Sequence, residues 1–167
     1  MPDKQTPLTP EEVNSLKYKA NGGRRQIIAY LSIGSAEQNR WYCQDDWTTE
    51  DPENLNSPRV MKRGYISGGV YTPPAEGVPV WLADGYGGGY SEEAIVQWWH
   101  PEWRDIIVRG NSKYTQKGGG GNKASIDRII EQGFDGVYLD NVGIYSRNSW
   151  TTIEAYWLNN GGIPGEE

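Results

Sequence analysis

Apolar residues recur at helical spacing in several parts of the chain, and short apolar runs lie between them. Thr9, followed by Pro10 and two glutamates, has the composition of a helix N-terminus. The apolar positions that follow predict a helix over residues 10–20, which the glycines at 22 and 23 end. Similar patterns predict helices over residues 101–114, 125–132 and 150–158.

The apolar runs predict three strands. Residues 26–33 (QIIAYLSI) and 136–139 (GVYL) are nearly uninterrupted, as is typical of strands that are covered on both faces. Residues 95–99 (IVQWW) form a third, shorter run. Helices that separate apolar strands predict parallel pairing with right-handed crossovers. The pattern therefore indicates an α/β fold, and a length of 167 residues predicts one domain.

Residues 44–93 interrupt this pattern. They are rich in Pro, Gly, Asp and Tyr and show no sustained periodicity, so we expect a long inserted loop. A loop of that length within a compact domain is usually either functional or disordered. The aromatic content favours an ordered, partly packed segment, with residues 79–82 (PVWL) as its anchor.

Polar side chains follow two of the predicted strands. Asp140 and Asn141 end the run at 136–139, and a carboxylate at the end of a strand can serve as a nucleophile or a general base. The alternative is that Asp140 caps the next helix or pairs with Arg147. If the strands are parallel, the carboxyl ends of both face one cleft.

The segment after the first strand, residues 32–40 (SIGSAEQNR), is the second candidate. It places Ser32, Glu37 and Arg40 just past an apolar run. The alternative interpretation is a surface ion pair between Glu37 and Arg40, which would stabilise the fold by about 0–1 kcal/mol.

Composition narrows the function classes. The net charge of −6 argues against a protein that binds the nucleic-acid backbone. The chain has 8 Trp and 11 Tyr against 1 Phe, and such amphipathic rings suit sugar ligands, although most large aromatic side chains serve core packing. One Cys and one His exclude a disulfide framework within the chain and a Cys- or His-rich metal site. Nothing in the sequence implies a metal or an organic cofactor.

Targeting signals are not evident in the sequence. No apolar run approaches the roughly 18 residues that a membrane span requires, so we expect no membrane partner. Residues 1–12 (MPDKQTPLTPEE) are polar and lack the apolar core of a secretion signal.

Three blocks of the sequence carry a resemblance to a known family. IIAYLSIGSAEQNRWY, IVQWWHPEWRDII and GFDGVYLDNVGIY occur in this order over about residues 10 to 157. They resemble the glycoside hydrolase family of endo-α-1,4-polygalactosaminidases, family 114. The resemblance implies a (β/α)8 barrel that hydrolyses α-1,4-linked galactosamine polymers and is extracellular. The chain departs from the family pattern at three positions where acidic residues are expected, namely Ser35, His100 and Gly143.

The resemblance also implies roles for individual residues. It makes Asp140 one of two catalytic carboxylates, and it leaves Glu37 as the acid retained in the first block. Because the chain would span only part of such a barrel, we expect a partial (β/α)8 barrel with parallel strands and the inserted loop at 44–93. The side chains that would shape the sugar subsites are Tyr30, Ser32, Arg40, Trp99, Asn141 and Tyr145.

Two other interpretations remain open at this point. The chain could be a carbohydrate-binding domain without catalytic activity that lacks the partner general acid. It could also be an incomplete barrel that self-associates through an exposed sheet edge. If the chain is a hydrolase or a carbohydrate-binding domain, its expected partner is a galactosamine-containing polysaccharide.

Overall fold

The computed structural model describes residues 7–50, 59–85, 92–110, 113–114 and 123–165, apart from the side chain of Tyr145. Its α-helices are α1 (Pro10–Leu16), α2 (Pro101–Arg104), α3 (Ser125–Glu131) and α4 (Ser149–Asn159). Its strands are β1 (Ile28–Ser32), β2 (Ser35–Glu37), β3 (Thr48–Glu50), β4 (Arg59–Met61), β5 (Tyr65–Ser67), β6 (Val70–Thr72), β7 (Leu82–Gly85), β8 (Glu93–Val96) and β9 (Gly136–Asp140). Short 3-10 segments span Asp45–Trp47 and Val142–Ser146, and a π-helical turn spans Asp105–Arg109.

The two strongest apolar runs form a parallel pair, as the pattern predicted. β1 pairs with β9 in a register that places Ile28 beside Gly136 and Ser32 beside Asp140. The expectation that both strands are covered on both faces is wrong. Ile28 is 55% exposed and Tyr138 is 63% exposed, because nothing in the described chain covers that face of the pair. An apolar run indicates that a strand is shielded from water, but it does not show whether residues of the same chain shield it.

The third predicted strand differs more from expectation. The apolar run at 95–99 forms a strand at Glu93–Val96, and this strand is antiparallel to both of its neighbours, β2 and β7. The prediction of parallel pairing fails here because only residues 86–92 separate β7 from β8, fewer than the dozen or so that a parallel crossover needs. Within the described residues the parallel sheet has only two strands, so the structure supports the α/β class but does not confirm a barrel.

The predicted loop at 44–93 contains regular structure in the parts that are described. β3 and β4 pair as one antiparallel ladder, and β5 and β6 pair as another. The predicted anchor at 79–82 is confirmed, because Trp81 and Leu82 are fully buried. The Trp81 ring lies 5.1 Å from that of Trp103 and 5.3 Å from that of Trp47, measured between centroids. The inserted segment is therefore packed into the main core through its tryptophans.

The helices agree with the pattern in position more than in length. Thr9 caps α1 as predicted, since its Oγ1 accepts a hydrogen bond from the backbone N–H of Glu12 while the Glu12 side chain accepts from Thr9 N–H. α1 ends at Leu16, about one turn before the predicted end. The helix predicted over 101–114 consists of α2 and the π-helical turn, which Gly110 ends with a φ of 79°. No described helix is long and apolar enough to cross a membrane.

Candidate functional site

Asp140 lies at the carboxyl end of β9, directly beside Ser32 at the end of β1. Its carboxylate accepts a hydrogen bond of 2.7 Å from the Tyr30 hydroxyl. Residues 30, 32, 138 and 140 lie on one face, since side chains alternate along each strand and the two strands are in register. The open face of the parallel pair therefore leads to Asp140.

Asn141 continues the site into the next loop. It is the one described non-glycine residue with a left-handed backbone, at a φ of 60°, a conformation that Asn tolerates better than most residues. Its Nδ2 donates to Ser32 Oγ at 3.0 Å and to Ser35 Oγ at 2.9 Å. The two serine hydroxyls are 2.8 Å apart and buried. This network fixes the loop after β9 against the turn that joins β1 to β2.

Gly34 makes the close approach of these two turns possible. A Cβ at this position would lie only 2.7 Å from Cγ2 of Ile144 and closer still to the carbonyl oxygen of Asn141. No real Cβ tolerates such contacts, so the backbone of the β1–β2 turn requires glycine here. The hydrogen bond from Val96 N–H to the Gly34 carbonyl, at 3.1 Å, ties the same turn to β8.

Glu37 and Arg40 form the predicted ion pair. Arg40 donates from Nε and Nη2 to the two carboxylate oxygens of Glu37 at 3.0 and 2.9 Å. The guanidinium carbon also lies 5.5 Å from the centre of the Tyr30 ring, within the range of a cation–π contact. The pair is thus more than an isolated surface bridge, because it lies against the tyrosine that holds Asp140.

Glu93 belongs to the site although the sequence reasoning missed it. It lies directly opposite Glu37 in the β2–β8 pair, and its Oε2 accepts a hydrogen bond of 3.3 Å from Ser35 Oγ. Burial raises the pKa of the Glu93 carboxyl, and the negative charge of Glu37 raises it further, with Glu92 and Asp140 contributing less. The residue could have been found only if the antiparallel pairing of β8 with β2 had been predicted.

Tyr30 contacts both Asp140 and Arg40. Burial raises the pKa of its hydroxyl, and the hydrogen bond to Asp140 and the charges of Glu37 and Glu93 raise it further. The hydroxyl therefore stays protonated at neutral pH and acts as a donor to Asp140. The Tyr30 ring stacks on that of Tyr138 at 6.5 Å between centroids and 27° between planes. Both rings are exposed, so they offer an aromatic surface beside the carboxylate.

A cleft of about 730 Å³ runs along β1 and reaches this site at one end. Tyr30, Ser32, Glu37 and Arg40 line that end, whereas Asp140 does not line it. Within this group the cleft therefore contacts the Glu37–Arg40 ion pair rather than Asp140. Among the described residues, no group of three or more His, Cys, Asp or Glu side chains is arranged to hold a metal ion.

One predicted subsite residue, Trp99, is not brought into this group, and another, Tyr145, has its side chain outside the described part of the chain. Trp99 packs against the second core cluster, with its ring 5.1 Å from that of Trp150, and its contacts give no support to a sugar-binding role. The backbone of Tyr145 lies in the 3-10 segment after Asn141, but its side chain is outside the described part of the chain. The structure thus groups Tyr30, Ser32, Glu37, Arg40, Asp140 and Asn141, and adds Ser35 and Glu93.

The sequence matches one protein family and several uncharacterized relatives. The model of glycoside-hydrolase family GH114 matches residues 3–156. An uncharacterized protein of Methanocaldococcus jannaschii is 32% identical over 151 residues, which are 90% of this chain and 28% of that protein. Uncharacterized proteins of Thermotoga maritima and Deinococcus radiodurans are 27% and 29% identical over 81% and 84% of the chain. The chain covers 26% and 31% of these two proteins, so it spans about a third or less of the length of all three relatives.

Proposed function

The chain belongs to glycoside-hydrolase family GH114, and we propose that it takes part in endo-acting hydrolysis of α-1,4-linked galactosamine polysaccharide at the site around Asp140. Membership implies a TIM-like α/β fold and suggests a carbohydrate substrate. In such folds the catalytic groups stand at the carboxyl ends of parallel strands. The observation that carries the proposal is the position of Asp140 at that end of β9, held by Tyr30 at 2.7 Å.

Asp140 would act as the nucleophile or as the base that activates water. Most glycoside hydrolases use two carboxyl groups, separated by about 5–5.5 Å when configuration is retained and by about 6.5–9.5 Å when it is inverted. The Tyr30 hydroxyl donates to the Asp140 carboxylate at 2.7 Å and so orients it at the end of β9, as both roles require. Glu37 is the second carboxylate that the family resemblance brings to the site.

The surroundings of the site support a galactosamine substrate. Three carboxylates, of Glu37, Glu93 and Asp140, contribute to the electrostatic field at the Tyr30 hydroxyl. A field of this sign attracts the protonated amine of galactosamine. The exposed faces of Tyr30 and Tyr138 give the apolar side of a sugar ring a surface to stack on.

The same tyrosine pair favours a second candidate function, which is binding of the polysaccharide without cleavage. Both carboxylate oxygens of Glu37 already accept hydrogen bonds from Arg40, so Glu37 is not positioned to serve a glycosidic oxygen. If no other carboxyl group supplied the proton, the site would bind the polymer and leave it intact. Stable binding by the wild-type chain without release of new reducing ends would favour this function.

We also propose that the open face of the β1–β9 pair mediates self-association. This face exposes Ile28 on β1 and Tyr138 on β9, and exposed apolar surfaces of this kind commonly pack against another chain.

The first test of the hydrolase proposal is release of reducing ends from partly de-N-acetylated α-1,4-galactosaminan. We expect release by the wild-type chain and a loss of at least about 100-fold in the Asp140→Asn variant, because a nucleophile or base is removed without a change of shape. Asp46→Asn, at an exposed position in the Asp45–Trp47 segment, is the matched control and should keep full activity. Equal release by both variants would remove Asp140 from the mechanism.

A further inference from the structure

Tyr30 orients Asp140, but core packing does not hold the Tyr30 ring itself. The residue is 46% exposed on the open face of the parallel pair. We propose that Arg40 is a positioning residue that holds the Tyr30 ring where its hydroxyl meets Asp140. Glu37 in turn holds Arg40 and takes no part in proton transfer. This inference rests on the proposed function.

Glu37 has a fixed position because its backbone is tied to two neighbours. It lies opposite Glu93 in the antiparallel β2–β8 pair, and its N–H donates to the Tyr42 hydroxyl at 3.3 Å. Tyr42 is buried in the main core, and the Glu37 side chain is only 14% exposed. The carboxylate at the end of β2 is therefore a firm point of attachment for a neighbouring side chain.

Arg40 is attached to Glu37 through three hydrogen bonds. Its Nε and Nη2 donate to the two carboxylate oxygens at 3.0 and 2.9 Å, and its backbone N–H donates to the Glu37 carbonyl at 3.3 Å. Two parallel hydrogen bonds fix the orientation of a planar guanidinium as well as its position. A lysine ammonium cannot reproduce this fork, because it is a point charge.

The guanidinium passes this constraint to Tyr30. Its carbon lies 5.5 Å from the centre of the Tyr30 ring, and the hydroxyl of the same ring donates to Asp140 at 2.7 Å. Tyr138 also stacks on the ring, but Tyr138 is itself 63% exposed. Of these two ring contacts, Arg40 is thus the one that is anchored to the core. A displacement of about 1 Å at a catalytic group can cost about 100-fold in rate.

Arg40 and Glu37 have alternative roles that kinetics can separate from positioning. Both residues line the cleft along β1, so Arg40 could instead contact the sugar. Loss of a sugar contact that is made equally in the ground state and the transition state raises KM and leaves kcat unchanged. Loss of a positioning residue lowers kcat, because the substrate still binds but meets a misplaced carboxylate.

The first variant is Arg40→Met, which removes the fork and keeps an unbranched side chain. We expect kcat on the galactosaminan polymer to fall about 10- to 100-fold, with KM within about twofold of the wild type. Arg40→Lys should recover only part of kcat. A raised KM with unchanged kcat in Arg40→Met would assign Arg40 to sugar binding and overturn the proposal.

Arg109→Met is the matched control. The Arg109 side chain is 45% exposed, against 40% for Arg40, and it also pairs with an acid on its own segment, Asp105, at 3.9 Å. This variant loses an arginine of similar exposure and pairing outside the described contacts of the site. We expect it to keep the kcat and KM of the wild type.

A double variant tests whether Arg40 acts through Tyr30. Tyr30→Phe removes the hydroxyl that orients Asp140 and should lower kcat by a factor similar to that of Arg40→Met. Addition of Arg40→Met to Tyr30→Phe should then lower kcat by less than about twofold more, because residues coupled in one network have non-additive effects. If the two losses multiply in full, Arg40 acts independently of the Tyr30 hydroxyl and the proposal is wrong.

Glu37→Gln tests the role of Glu37. The substitution weakens the fork, so we expect the same proportional loss on the polymer and on a galactosamine oligosaccharide with a 4-nitrophenyl leaving group, since Asp140 acts on both. The polymer's leaving group needs a proton, whereas nitrophenolate does not. A loss confined to the polymer would identify Glu37 as the proton donor and contradict its assignment here.

Crystal structures of Arg40→Met and Arg109→Met give a result that does not depend on activity. We expect the Tyr30 hydroxyl to leave Asp140 in Arg40→Met and to keep this hydrogen bond in Arg109→Met. If the hydrogen bond persists in Arg40→Met, the stack with Tyr138 is sufficient and the proposal fails. If the bond is lost there but the wild-type chain cleaves neither substrate, the hydrolase proposal is overturned and the link from Arg40 to Asp140 is supported.

Discussion

Glu93 on β8 lies directly opposite Glu37 on β2, and the effect of this pair on the free energy of unfolding depends on pH. The raised pKa of Glu93 means that the folded protein binds its proton more tightly than the unfolded chain does. The stabilising effect of that proton is therefore present below about pH 4.5, the ordinary value for Glu, and is lost as pH rises through the folded-state pKa. At neutral pH the protein has two like charges in directly opposed positions, which is unfavourable.

Substitution of Glu93 by Gln should remove the repulsion between the two carboxylates. It should keep the hydrogen bond from Ser35, because the amide oxygen of Gln also accepts. We expect Glu93→Gln and the wild type to unfold with the same free energy near pH 4, and the variant to be more stable by about 0.2–1 kcal/mol at pH 7. Urea unfolding at both pH values measures the difference. A variant that is less stable than the wild type at pH 7 would show that the carboxylate makes a favourable contact in the folded state.

At the scale of secondary-structure elements, the site depends on how closely the β1–β2 turn approaches the loop after β9. Gly34→Ala places a methyl group against the Asn141 carbonyl and Ile144, so we expect a loss of about 1–3 kcal/mol in unfolding free energy. Gly143→Ala is the matched control in the facing segment, since its Cβ would meet no atom within 4 Å. Thermal unfolding of the two variants tests the contact. Equal melting temperatures would mean that the two turns separate at no cost.

The same scale shows what could be predicted from the sequence. The apolar runs correctly predicted β1, β9 and their parallel pairing, because a parallel pair joined through helices has a distinct pattern. The β5–β6 hairpin could also have been recognised, since Gly68 and Gly69, both with positive φ, form a two-residue turn between short strands. The pairing of β8 with β2 could not, because neither strand shows alternation and no hairpin turn joins them.

The exposed face of the parallel pair was equally beyond prediction. Its residues have the composition of a buried strand, and Tyr30 at 46% exposure and Tyr138 at 63% were both expected to be covered. Burial depends on what packs against a strand, and that is a property of the whole molecule. Asp140 was identified from its position after an apolar run, whereas Glu93 was missed because its role depends on a partner 56 residues earlier in the chain, Glu37.

At the scale of the whole molecule, the open face of β1 and β9 makes association the expected behaviour in solution. Ile28 lies at the end of β1 that is remote from Asp140, so a charge placed there should act on association without altering the site. We expect the wild-type chain to sediment with a mass that rises with concentration, and Ile28→Lys to reduce this rise, because a buried lysine at the contact is costly. Val70→Lys is the matched control, since Val70 is also an exposed strand residue, at 66% against 55% for Ile28, and lies in the β5–β6 hairpin.

Analytical ultracentrifugation of the three proteins over a hundredfold range of concentration tests whether the chain associates through the open face of β1 and β9. If Val70→Lys reduces association as much as Ile28→Lys does, the effect is one of net charge and the contact lies elsewhere. If the wild type remains a monomer throughout, the open face is stable in water without a second copy. Because the face leads directly to Asp140 through Tyr30 and Tyr138, a monomer would leave the aromatic surface accessible to a polysaccharide. An associating chain would instead bring a second copy's surface within reach of the site.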